Sequence, residues 1–136
     1  WNTMLQKATQ TGCFASDDNH NPAKFFDALG GWVCVKSEEL THEAIVNHLL
    51  AGDYYASAGP KITAWGVDGD EVYLTCSPAA RINFIVGGLV GGSETILQHE
   101  SPLIHGLHTL HGGETWVRAE VVDHQGRRAW TNPIWL

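Results

Sequence analysis

From Lys61 to the end of the chain, strand signals alternate with turns at short, regular intervals, and no helical periodicity separates them. Lys61 to Val67 and Glu71 to Cys76 flank Asp68-Gly69-Asp70, a hairpin signal. Arg81 to Val86 follows a break at Ser77-Pro78, and Thr95 to His99 follows the glycine pairs Gly87-Gly88 and Gly91-Gly92. A segment around Leu103 to Leu110 leads to Thr115 to Val122, a turn at Asp123 to Gly126, and a last strand from Arg128 broken by Pro133. Strands spaced in this way predict a small antiparallel β-sandwich over residues 58–136.

The first third obeys different rules. Trp1, Met4, Leu5 and Ala8 recur at helical spacing up to Gln10, and Gly12 follows as a breaker. Cys13 to Ser16 reads as a short buried strand. Asn21-Pro22 signals the start of a short helix reaching Leu29 and stopped by Gly30-Gly31. Trp32 to Val35 is a second apolar strand. Thr41 caps a helix from His42 to about Ala51, with Gly52 at its end. Helices alternating with apolar strands predict β/α units over residues 1–57, whose strands need cover on both faces. The boundary is expected near Ser57 to Lys61.

Composition narrows the function classes. Hydrophobic residues make up 43% of the chain and six are Trp, enough for a packed core. The net charge of -7, with no basic cluster beyond Arg127-Arg128, argues against nucleic acid or a polybasic membrane patch as partner. Cys13, Cys34 and Cys76 lie far apart and form no Cys-x-x-Cys pair, as expected of thiols in a reducing, cytoplasmic setting; one disulfide beside one free thiol is the alternative. No apolar run approaches the roughly 18 residues of a membrane span, and no signal peptide is visible. The chain starts without Met and inside a helical pattern, so a processed or partial product is expected.

Chemistry concentrates in Ala15-Ser16-Asp17-Asp18-Asn19-His20. In an extended chain Asp18 and His20 point the same way, and a carboxylate with an imidazole suits zinc, manganese or iron better than calcium. The opposing reading is a polar turn with an exposed histidine. Two ligands never fill a coordination sphere.

Around this run the residues say more. Trp1-x-x-x-Leu5, Ala15 to His20 and Gly30-Gly31-Trp32-Val33-Cys34-Val35, taken together, resemble the C-terminal part of the polymerase and histidinol phosphatase (PHP) superfamily of metal-dependent phosphoesterases. Ala51 to Pro60 is similar to the stretch leaving the catalytic barrel in one branch of it, and Trp116 to Asp123 with Gly126 to Ile134 is similar to the β-domain appended there. The resemblance implies an α+β chain, the C-terminal β/α units of a PHP-like barrel followed by a small antiparallel β-sandwich. It also implies that Asp18 and His20 are metal ligands, with Asp17 as the alternative if the register is off by one. The family's upstream ligands, beginning with a His-x-His pair, have no counterpart here. The expectation is therefore a hydrolase fragment without catalytic residues of its own, binding a divalent metal weakly and partnered by a missing N-terminal barrel or by further copies of itself.

The remaining candidates are weaker. His105, His108 and His111 would form a ridge on a helix, but on a strand His108 faces away from the other two, and solvated strand histidines are the simpler reading. Gly87 to Gly92 lacks a P-loop lysine and reads as tight turns. Cys34 and Ser57 carry no nucleophile signature. Trp65, Trp116, Trp130 and Trp135 are expected mainly as core filler; if they form a stacking surface instead, the chain is a non-catalytic ligand-binding β-sandwich.

Overall fold

A computed structural model describes residues 1–20, 28–89, 91–99 and 101–136. Among the described residues two helices, α1 (Asn2–Gln6) and α2 (His42–Ala51), accompany ten strands. These are β1 (Trp32–Val35), β2 (Tyr54–Ser57), β3 (Ile62–Asp68), β4 (Glu71–Ala79), β5 (Arg81–Gly88), β6 (Gly92–Leu97), β7 (Leu103–Thr109), β8 (Glu114–Val122), β9 (Arg128–Thr131) and β10 (Ile134–Trp135). Seven strands form one sheet in the order β1-β2-β9-β8-β5-β6, with β10 also on β8; β3-β4-β7 form a second. Every pairing is antiparallel.

The sandwich core follows from period-two patterning. Val72, Leu74 and Cys76 point inward from β4, Ile82 and Phe84 from β5, and Val117, Ala119 and Val121 from β8. Full burial of each Val, Leu, Ile or Phe stabilises the fold by about 1.5–3 kcal/mol. Gly106 of β7 faces the same core, where a Cβ would come within 3.2 Å of Ile82, Ile96 and Phe84. Turn chemistry is equally legible: Gly69 closes the β3–β4 hairpin at φ 61°, and Asp123 Oδ1 accepts from the N–H groups of Gln125 and Arg127 in the β8–β9 turn. Pro78 does not break β4. The β4–β7 pairing shifts register between Thr75 and Ala79, the kind of irregularity where a proline is tolerated.

The expected α+β architecture with β/α barrel units is overturned. β1 pairs antiparallel with β2, and β2 continues through β9 into the sandwich sheet. The cause is local. Thr41 Oγ1 caps α2 by accepting from Ala44 N, and Gly52 ends it in the left-handed conformation at φ 83°. Asp53 N–H then bonds back to His48 O, so the chain enters β2 alongside β1 instead of crossing over it. Tyr54 to Ser57, read in the sequence as the exit from a barrel, is a strand whose Ala56 and Ser57 are buried. α2 buries none of its residues, whereas a barrel helix would bury one face.

Two further expectations change. Cys13 to Ser16 forms no strand; it runs beside the start of β1, where a Cβ on Gly31 would come within 3.1 Å of the Ser16 backbone. The helix expected from Asn21-Pro22 lies, as far as Asp27, outside the described residues.

The N-terminal segment is nonetheless docked on the sandwich. α1 packs on β5, with Leu5 buried, and the buried Arg118 of β8 stacks under the Trp1 ring at 4.6 Å while its Nε and Nη2 donate to Asn2 Oδ1. Asn132 completes the attachment. Its Oδ1 accepts from Cys13 N at 3.0 Å, and its Nδ2 donates to the carbonyls of Gly52 and Tyr54.

Candidate functional site

The run Ala15 to His20 lies against a turn built by Leu29, Gly30 and Gly31. Leu29 has φ 63°, unusual for a residue with a branched side chain, and consecutive N–H groups in such a turn make an anion-binding concavity. Asp17 fills it. Its Oδ1 accepts from Gly31 N at 2.9 Å, and the N–H groups of Gly31, then Leu29 and Gly30, hold the carboxyl below the usual carboxylate range. Asp17 is thereby committed to structure.

Asp18 is placed differently. It sits at φ 52°, the left-handed region that aspartate tolerates better than most residues, and it is exposed together with Asn19 and His20. The strict alternation of an extended chain therefore does not hold at Asp18. Among the described residues no three His, Cys, Asp or Glu side chains converge so as to hold a metal. A carboxylate and an imidazole fill half of a tetrahedral sphere, so Asp18 and His20 alone do not make a metal centre.

The histidine series resolves into separate roles. His108 turns inward from β7 with its side chain only 10% exposed, stacks on Phe84, and pairs through Nδ1 with Glu94 Oε2 of β6 at 2.5 Å. Its Nε2 is buried without a partner. His105 lies on the outer face of β7, and His111 stands edge-on to His108 at 6.4 Å. His108 is a core residue, not the solvated strand histidine expected.

The aromatic residues divide as well. Trp116 is buried over Gly87, and Trp65 packs against the core. Trp130 is half-buried, and its Nε1 donates to Glu120 Oε2 in a polar row that also takes in Asn83, Thr95 and Arg128.

A cleft of about 660 Å³ opens between β1–β2 and the small sheet, a size suited to a small organic molecule. Sequence reasoning missed it, because its walls come from stretches far apart in the chain. Tyr55 forms part of one wall; burial, and next a hydrogen bond with Cys34, push its hydroxyl up to about 12. Trp65 and Tyr73 border it from opposite faces of the small sheet, Trp65 beside the inward-facing Leu74 and Tyr73 over Gly66, and Lys36 and Asp53 are also among the lining residues.

Compared with protein-family models, with curated proteins and with solved structures, the chain finds no match.

Proposed function

We propose that the chain contributes Asp18 and His20 to the divalent-metal cluster of a PHP-like metal-dependent phosphoesterase, the other ligands coming from outside these residues. The supporting observation is the division of labour in the acidic pair. The turn at Leu29 to Gly31 takes the Asp17 carboxylate, while its neighbour Asp18 is held exposed in a left-handed conformation two residues before His20. Residues kept in sparsely populated backbone regions cluster at functional sites. The metal is zinc, manganese or iron by donor type. Hydrolysis needs ions that polarise the phosphoryl group and activate water, so this chain alone is not a competent hydrolase.

Calorimetric titration with Zn²⁺ and with Mn²⁺ tests the assignment. The expected result is weak one-site binding that Asp18→Ala/His20→Ala reduces by about tenfold or more, the loss of two inner ligands. Equal affinity in both proteins would remove Asp18 and His20 as ligands.

A second reading, a non-catalytic protein that self-associates, is favoured by the apolar residues left outside the core. Leu40 is 96% and Leu50 82% exposed, Phe14, Leu29 and Trp32 join them, and β1 is an uncharged edge strand. It predicts a dimer or larger mass by light scattering at micromolar concentration, reduced to the monomer by Val33→Lys on β1. A monomeric mass for the unsubstituted chain would dismiss it.

A further inference from the structure

The outer edge of β1 is a short row of backbone groups with defined ends. Lys36 N–H donates to Asp53 O, which carries the β1–β2 ladder one residue past Val35. In an antiparallel ladder the groups alternate sides, so Trp32, Cys34 and Lys36 bond toward β2 while Val33 and Val35 direct their N–H and C=O groups away from it. No described strand pairs on that side. The next outward position is Gly31, and its N–H is already taken by Asp17 Oδ1 at 2.9 Å. The side chains obey the same period: Trp32, 37% exposed, Cys34 and the exposed Lys36 share one face.

Such a row is complementary to itself. Turned about a two-fold axis at Cys34, a second copy sets Val33 opposite Val35 and Val35 opposite Val33, so the outward groups of both valines bond to each other and nothing is asked of Gly31. Trp32 then stands opposite Lys36 of the second copy, an ammonium beside an indole, with the Asp17 carboxylate one residue beyond. Two chains of net charge -7 repel at long range, so an attraction of opposite kinds of group within the contact is what selects this register.

We propose that two copies of the chain join antiparallel through β1, with Cys34 on the two-fold axis and Lys36 of each copy against Trp32 and Asp17 of the other. The proposal rests on the self-associating reading and specifies its surface. It also places one thiol beside its own counterpart. Residues opposite each other in a non-hydrogen-bonded antiparallel pair have Cα atoms about 4.5 Å apart, inside the roughly 4.4–6.8 Å that a disulfide spans. In any other register, or on any other surface, Cys34 does not meet Cys34.

The test oxidises the whole chain with copper–phenanthroline and digests it without reduction. Mass spectrometry should find a peptide in which Cys34 is linked to Cys34, and the covalent dimer should be lost in Cys34→Ala and in Val33→Lys. Lys36→Glu, an exposed substitution that leaves the core untouched, should raise the dissociation constant by about tenfold, the effect of two symmetry-related cation–π contacts at an exposed site. Light scattering separates the two ways of failing. A dimeric mass with Cys34 unlinked, with links through Cys13 instead, or with affinity unchanged in Lys36→Glu would overturn the β1 pairing and leave self-association standing. A monomeric mass would overturn both.

Discussion

Gly87→Val is expected to destabilise the sandwich by about 3 kcal/mol or more, the range for displacing a fully buried Trp side chain. Gly87 pairs with Trp116 across β5 and β8, and the indole folds back over it. A Cβ at Gly87 would lie 2.2 Å from Trp116 Cε2 and 2.3 Å from Nε1, closer than any real contact. The clash is with a side chain that is 1% exposed and has no second place to go. The indole must leave its pocket, or β8 must shift against β5 and disturb Val117 and Ala119 behind it. Against a total stability of about 5–15 kcal/mol for a domain, that loss lowers the urea midpoint sharply. Gly87→Ala should show most of the effect, since the first carbon causes the collision. In Gly87→Ala/Trp116→Leu the shorter side chain should make room, so the pair should cost less than the sum of the singles. A cost below about 1 kcal/mol for Gly87→Ala, the level of an ordinary surface change, would contradict this packing.

Gly87 also shows what kind of information the sequence carried. As one of two adjacent glycine pairs it read as a turn, but it lies within β5, which runs on to Gly88. Its more demanding role, making room for a tryptophan 29 positions along the chain, has no local signature. The same division runs through the molecule. Strands from β3 to β9 were legible because period-two burial and turn residues are local signals. The helix over His42 to Ala51 was legible from its Thr41 and Gly52 caps. What failed was the inference from element order to topology. A strand, a helix and a strand usually make a parallel crossover, but here β2 meets β1 and the free edge of β9, and both hydrogen-bond it antiparallel. Whether such an edge is on offer depends on residues 128–131, more than 70 positions downstream of β2. At the candidate site the sequence located the acidic pair and the histidine. It did not separate Asp17 from Asp18, because the anion-binding turn that distinguishes them begins twelve residues later, at Leu29.

Asn132→Ala should loosen the attachment of the N-terminal third to the sandwich, at a cost of about 2–4 kcal/mol from three lost hydrogen bonds in a half-buried site. Asn132 stands at the break between β9 and β10. Pro133 cannot donate to the ladder and holds the residue before it extended, which turns the Asn132 side chain away from strand pairing and toward its other partners. Thr131 Oγ1 covers the gap in the ladder by accepting from Ala119 N at 2.8 Å. Asn132 joins three segments at once, donating to the carbonyls of Gly52 and Tyr54 and accepting from Cys13 N. Gly12 makes the approach possible, since a Cβ there would come within 2.1 Å of the Tyr54 hydroxyl and 3.0 Å of Asn132 Oδ1. Asn132→Asp separates the donor role from size. It keeps an acceptor for Cys13 but sets a carboxylate oxygen against two carbonyls, so at neutral pH it should cost at least as much as alanine. Protonation supplies one donor, so the deficit should shrink as the pH falls to about 4 and below, where carboxylates protonate. Urea midpoints at pH 7 and pH 4, each referred to the unsubstituted chain, read the difference, and hydrogen exchange at the Cys13 amide reports the detachment directly. A deficit equal at both pH values, or a Cys13 amide as protected in Asn132→Ala as in the parent, would show that Asn132 is not the joint. The joint matters for function because Asn132 holds the chain five residues before Asp18. Its loss should therefore weaken metal binding as well as stability, whereas Asp18→Ala should weaken metal binding alone.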